Sequence, residues 1–202
     1  TYYFRVQTED EALNSSLSNQ VTQALTATTP PAPHWEFLGE AFDGVILRLA
    51  AVGNDLVAVG PFTKVGGLTT NRAARWSGGS WAQMDQGLPT VNASADTGIT
   101  GLTIRSVTSY QGKPALCGGL TRKSGSTSRS YAYVALWNGA SWDSLNTRGA
   151  LGDVYDILPY DNALVIAGTF TRIDTLNNVG GVARWDGTQW RRIGAPRTFT
   201  TP

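Results

Sequence analysis

Apolar residues come in short continuous runs along this chain. The runs 56–59 (Leu-Val-Ala-Val) and 163–167 (Ala-Leu-Val-Ile-Ala) have the length of a strand and do not alternate with polar residues. Such runs are typical of strands that are buried on both faces. Turn sequences of two residues precede three aligned runs of this kind and predict antiparallel hairpins; they are Gly53-Asn54, Gln111-Gly112 and Asp161-Asn162.

Three similar segments of the chain, the units, each end in a pair of tryptophans that are five residues apart. The pairs are Trp76 and Trp81, Trp137 and Trp142, and Trp185 and Trp190. A glycine-containing turn sequence lies inside each pair. Trp35 has no partner, but an apolar residue follows it after the same interval as in the pairs; these residues are Leu38, Met84, Leu145 and Ile193. Each unit therefore predicts four antiparallel strands, the last two joined by the turn between the tryptophans.

The three units, over residues 44–86, 102–145 and 152–193, predict three four-stranded blades of an all-β propeller. The first tryptophans of successive pairs are 61 and 48 residues apart, and four strands in about 45 to 50 residues fit a propeller blade. The longer spacing contains an insertion within 87–100 and a smaller one within 122–130, which we expect to be a hairpin tip. Residues 35–38 are expected to form an outermost strand without a blade of its own. Since known propellers have about four to eight blades, we expect an incomplete propeller and a natural protein that continues beyond this chain.

The repeats are similar to a known family. Gly-x-Phe-Thr followed by Asn-x-x-Ala-Arg-Trp-x-Gly-x-x-Trp resembles the repeats of kelch-like β-propellers, of the variety found in bacterial secreted and surface proteins, over residues 34–194. At the aligned position of the kelch Gly-Gly doublet, the units carry Gly60-Pro61, Gly118-Gly119 and Gly168-Thr169, so the doublet is kept in the second unit alone. The resemblance implies a propeller fold and a location outside the cell.

Residues 1–33 have a different pattern. Tyr2, Phe4 and Val6 alternate with Tyr3 and Arg5, which predicts a strand. A polar stretch, 8–16, separates it from a second predicted strand at 21–25. Residues 2–6 and 17–22, with the proline-rich exit, resemble the last two strands of a fibronectin type III domain, which implies a corner hydrogen bond from Tyr2. The predicted organisation is a fibronectin type III-like remnant at 1–28, a linker at 29–33 and propeller repeats at 34–202.

Charge and composition argue against several classes of function. The 202 residues carry 16 basic and 15 acidic side chains, a balance that does not favour nucleic acid or an anionic membrane as a partner. No apolar run approaches the roughly 18 residues that insertion into a membrane requires. One histidine, His34, and one cysteine, Cys117, do not suffice for a zinc or copper site of nitrogen and sulfur ligands, and His34 lies in no motif that supports a catalytic triad. We therefore predict no catalytic residue, no cofactor and no metal, and an enzyme is not the favoured interpretation.

Positions that differ between equivalent units are candidates for ligand binding. At one position of the first strand the units carry Leu47, Arg105 and Tyr155. Asp153 and Asp156 begin the first strand of the third unit, near where residues line the central channel of a propeller. They are interpreted either as polar residues at a strand end or as a calcium-binding or acid–base pair.

The inserted segment 87–100 is the second candidate region. It carries Asn92 and Asp96, and loops on rigid scaffolds often carry recognition, although a neutral expansion of the loop explains the insertion equally well. The residues predicted to bind a ligand are Asn92, Asp96, Arg105, Asp153 and Tyr155.

These features predict a non-catalytic binding or scaffolding propeller in a secreted or cell-surface multidomain protein, with an unidentified protein or glycan as ligand. The alternative is an accessory propeller of an extracellular carbohydrate-active or other enzyme whose catalytic domain lies elsewhere. An intracellular kelch-type adaptor agrees least with the fibronectin-like segment.

Overall fold

The computed structural model describes residues 38–95, 97–145 and 150–194, together with the backbone of 7–9 and 15–17. The chain divides into two compact units, Thr1–Phe37 and Leu38–Pro202. The described residues form strands and no helix, so this part of the chain contains no apolar helix long enough to cross a membrane. The predicted all-β class is confirmed.

The first unit contains one short antiparallel hairpin in its described residues. Strand β1 (Gln7–Glu9) pairs with β2 (Ser15–Leu17), and Gln7 lies opposite Leu17. The hairpin overlaps the polar stretch 8–16, where the sequence predicts no strand. The strands predicted at 2–6 and 21–25, with the linker at 29–33, lie outside the described residues.

The second unit has sixteen strands in its described residues. In chain order they are β3 (Arg48–Val52), β4 (Asp55–Val59), β5 (Lys64–Val65), β6 (Leu68–Thr69), β7 (Ala73–Ser77), β8 (Ser80–Gln83), β9 (Thr97–Tyr110), β10 (Lys113–Ser124), β11 (Thr127–Trp137), β12 (Trp142–Ser144), β13 (Val154–Tyr160), β14 (Ala163–Gly168), β15 (Arg172–Ile173), β16 (Leu176–Asn177), β17 (Val182–Trp185) and β18 (Trp190–Arg192).

Twelve of these strands form three four-stranded antiparallel sheets, one for each unit predicted from the sequence. The first sheet has the order β3-β4-β7-β8, the second β9-β10-β11-β12 and the third β13-β14-β17-β18. The hairpins β5–β6 and β15–β16 were not predicted; each lies between the second and third strands of its sheet. A turn of two residues joins the first two strands of each sheet, as predicted, because Val52 pairs with Asp55, Tyr110 with Lys113 and Tyr160 with Ala163.

The inserted segment 87–100 is only partly a loop. Strand β9 begins at Thr97, and Ile99 pairs with Arg122 of β10. The second insertion, 122–130, forms the predicted hairpin tip. The prediction of an inserted loop is therefore wrong for residues 97–100, because the two insertions provide strand partners for each other.

Apolar side chains of adjacent sheets form two cores. Val57 packs with Leu116 between the first and second sheets, whereas Cys117 packs with Ile166 between the second and third. Successive residues of β10 thus contribute to opposite cores, and all of 114–120 is buried. The expectation that the continuous apolar runs are buried on both faces is confirmed for 57–59, where every residue is buried, but it is wrong for 163–167, where Val165 is partly buried and Ala167 is exposed.

The turn between the tryptophans of the third sheet is held by a carboxylate. Asp186 accepts hydrogen bonds from Arg191 Nε (2.8 Å) and from the backbone N–H groups of Gln189 (2.9 Å) and Thr188 (3.0 Å). These donors, Arg191 first, hold the pKa of Asp186 well below its ordinary value. The turn is therefore stabilised by the ionised form of this side chain.

Candidate functional site

Two of the predicted ligand-binding residues lie at equivalent β-bulges. Cys117 pairs with Ser106 and Gly118 with Ile104, so Arg105 is the extra residue of β9. In the third sheet the pairing passes in the same way from Val154 to Asp156, and Tyr155 is the extra residue of β13. A bulge bends its strand and changes the direction of a side chain.

Glycines of the second strands account for these bulges. A Cβ on Gly118 would lie 1.8 Å from the carbonyl oxygen of Thr103, and one on Gly168 would lie 2.0 Å from that of Asp153. Only glycine allows the two backbones to approach so closely. The same close approach sets the positions of Arg105 and Tyr155.

Arg105, Asp153 and Tyr155, the first-strand cluster, lie together at the boundary between the second and third sheets. Arg105 Nη2 is 3.0 Å from Asp153 Oδ2, and Arg105 Cζ lies 5.0 Å from the centroid of the Tyr155 ring. The side chains of Arg105 and Asp153 are 36% and 24% exposed, and Tyr155 is 48% exposed. Three of the five predicted residues thus form one accessible group with a cation, an aromatic ring and a carboxylate.

The backbone and a neighbouring glycine fix Asp153 in this cluster. Its backbone N–H donates to Thr169 Oγ1 (3.1 Å), and its backbone oxygen accepts from Thr169 N–H (3.0 Å). A Cβ on Gly119 would lie 2.1 Å from Asp153 Oδ1, so a side chain there would displace the carboxylate from this position. The second glycine of the Gly118-Gly119 doublet therefore shapes the cluster.

Arg105 keeps one donor without a partner. Its Nε is buried and makes no hydrogen bond with any of the described residues. Leaving such a donor unpaired costs free energy, because its hydrogen bond to water is lost and not replaced. This guanidinium is thus incompletely satisfied by the protein.

A second polar link joins the same two strands beneath the first-strand cluster. Ser106 Oγ donates to Asp156 Oδ1 (2.7 Å), which also accepts from the backbone N–H of Ile157 (3.0 Å). Ser106 is 2% exposed. Ser106 was not selected from the sequence. Its equivalents in the first and third sheets are Arg48 and Asp156, and a polar residue at this position in all three units is the signal that could have identified it.

Asp153 and Asp156 are held by different partners, a guanidinium and a hydroxyl. No group of three or more histidine, cysteine, aspartate or glutamate side chains suited to a metal ion occurs among the described residues.

Cys117 is fully buried, and burial, reinforced by the charge of Asp156, raises the pKa of its thiol far above the ordinary value. A protonated, inaccessible thiol is a poor nucleophile.

Asn92 is the predicted residue of the inserted segment that the structure describes, and it is not part of this cluster. Asn92 Oδ1 accepts from Ser94 N–H (3.2 Å), and the backbone N–H of Asn92 donates to the oxygen of Ile99 (2.9 Å). Asn92 therefore organises its own loop. Asp96 lies outside the described residues, as does His34.

No protein-family model matches this chain, and no curated protein matches it significantly.

Proposed function

We propose that this chain is a non-catalytic binding and scaffolding module, built from three successive β-propeller blades, of a secreted or cell-surface multidomain protein. One repeated hydrogen bond supports this proposal most strongly. Trp81, Trp142 and Trp190 each donate their indole N–H to a backbone oxygen of the preceding repeat; the acceptors are Leu38 (3.0 Å), Met84 (2.6 Å) and Leu145 (2.7 Å). These acceptors each lie three residues after the preceding Trp35, Trp81 or Trp142. A hydrogen bond that recurs at the same place in each repeat is expected where equivalent blades stack on their neighbours.

The outer faces of the first and third sheets favour a scaffolding role. Leu49 is 52% exposed, whereas Ile157, which occupies the same register position in the third sheet, is 3% exposed. On the opposite face Tyr160 is 70% exposed, and its equivalent Tyr110 is 3% exposed. Further sheets of the same repeat are the partners that would cover such apolar faces, because adjacent sheets cover the equivalent residues inside the unit.

The first-strand cluster is the part of this scaffold that we assign to ligand binding. Arg105 supplies a partly exposed cation, and the exposed ring of Tyr155 supplies a flat apolar surface. Arginine and tyrosine are enriched where proteins bind their partners. A protein or glycan that offers an acceptor next to an apolar face fits this arrangement.

Glycan and peptide arrays probed with the full chain test this function. The paired substitution Arg105→Ala and Tyr155→Ala should lower the array signal at least about tenfold. Tyr160→Ala is the matched control, because Tyr160 is an exposed tyrosine of the same strand outside the cluster. Loss of the array signal in the control, or no signal from the natural chain on either array, would contradict the assignment.

A further inference from the structure

A cavity lies between the first and second sheets, away from the first-strand cluster. Its volume is about 220 Å³. Val57 and Met84, both fully or almost fully buried, line it with apolar surface, and the partly buried ring of Trp137 forms another wall. The charged groups of the wall are Arg75, Lys113 and Asp55.

The equivalent position between the second and third sheets is filled. Tyr110 occupies there the register position that Val52 has beside the cavity, and Leu136 occupies that of Arg75. The Tyr110 ring is buried, and its hydroxyl donates to the oxygen of Asn162 (3.1 Å). The cavity therefore exists because the first sheet carries a smaller residue at the end of its first strand, and it is lined by a guanidinium because that sheet carries an arginine instead of a leucine.

The charges of the wall favour an anion. Arg75 Nη1 lies 3.7 Å from Asp55 Oδ2, and the two side chains are 42% and 30% exposed. This long contact leaves guanidinium donors for another acceptor, and Lys113 adds a second cation against the one carboxylate. Two cations beside an apolar, aromatic wall suit a ligand that has an acidic group at one end.

The volume limits the size of that ligand. A cavity of about 150 Å³ in an apolar protein core holds one benzene molecule, so this cavity has room for one ring and a short substituent. We propose that the cavity binds a small molecule with a single six-membered ring and a carboxylate, with the ring against Trp137 and Met84 and the carboxylate beside Arg75 and Lys113. An aryl carboxylate and a sugar uronate share this chemistry.

Titration calorimetry and ligand-observed NMR on the full chain test the proposal with 3-phenylpropionate and glucuronate as the probes of the two sources. For a ligand of this size we expect a Kd of about 1 mM or tighter for one of them. The neutral amide of the probe that binds should bind at least about tenfold more weakly. Equal binding of the amide, or no binding of either acid at about ten times that concentration, would overturn the proposal.

Two substitutions copied from the filled boundary locate the site. Val52→Tyr should abolish binding, because the new ring fills the cavity as Tyr110 fills the equivalent position. Arg75→Leu should weaken the acid about tenfold and leave the amide unchanged. Because Arg75 is partly exposed, its substitution reports on the site even if Val52→Tyr does not fold.

Arg184→Leu is the matched control for the charge. Arg184 has the register position of Arg75 in the third sheet and is exposed. It should leave the Kd of the acid within about twofold. An equal effect of Arg184→Leu and Arg75→Leu, or binding that persists after Val52→Tyr in a folded chain, would show that the ligand is held elsewhere.

Discussion

Removing one indole N–H from the boundary between the first and second sheets should destabilise the protein more than removing the same group where the bond is exposed. Trp142 is 3% exposed, and its Nε1 donates to the oxygen of Met84 over 2.6 Å. Trp142→Phe keeps an aromatic ring but leaves that buried oxygen without its donor. An unsatisfied buried group costs about 1–3 kcal/mol, and the smaller ring loses about 1 kcal/mol of apolar burial. The free energy of unfolding should therefore fall by about 2–4 kcal/mol.

Trp81→Phe is the matched control, because Trp81 donates to the same kind of acceptor at a more open position. It is half-buried, and its acceptor Leu38 is 47% exposed, so water can replace the lost donor. Its free energy of unfolding should fall by about 1 kcal/mol or less. Urea unfolding followed by far-UV circular dichroism measures both variants independently of the lost tryptophan fluorescence. Equal destabilisation by Trp81→Phe and Trp142→Phe would refute the role given to the buried hydrogen bond.

Three further predictions follow from single side chains. Gly118→Ala should lower the midpoint of urea unfolding strongly or prevent folding, because its Cβ would collide with a strand carbonyl, whereas Gly67→Ala, with no atom within 4 Å of its Cβ, should leave the midpoint nearly unchanged. Asp186→Asn should lower the same midpoint at pH 7. Because the pKa of Asp186 is lowered on folding, the difference in midpoint from the natural chain should be complete above about pH 4 and should shrink as the pH falls through the lower pKa of the folded state. A difference in midpoint that grows on acidification would contradict this. Cys117, buried and with a raised pKa, should react with a thiol reagent at pH 8 only after unfolding; labelling of the folded chain at the rate of the denatured chain would exclude the buried position.

The sequence predicts the three sheets well because their signals are local. The turn residues, the apolar runs and the tryptophan pairs each specify a hairpin from a few adjacent positions. The pairing of the two insertions was missed, because Ile99 and Arg122 are distant in the chain and their pairing is a long-range contact. The small hairpins β5–β6 and β15–β16 have strands of two residues, too short for a pattern of alternation to appear.

The candidate site was predicted in part for a similar reason. Comparison of equivalent positions selected Arg105 and Tyr155, and both lie at the bulges that the glycines create. The partner of Arg105, Asp153, was selected independently as a residue at a strand end, and their ion pair depends on how two sheets pack. Asn92 was selected because it lies in an insertion. An insertion does not specify whether its side chains bind a ligand or hold the loop itself together.

We expect ligand binding at the positions where the sheets differ rather than at those they share. The shared residues perform the same structural task each time, as the indole of Trp142 and that of Trp190 do at successive boundaries. At the position that forms the bulge in the second and third sheets, the three units carry an aliphatic chain, a guanidinium and a phenol, and the last two meet across one boundary. At the end of the first strand, Val52 leaves open the space that Tyr110 fills at the next boundary. A substitution at a differing position should therefore change binding more than stability, and a substitution at a shared position should do the reverse.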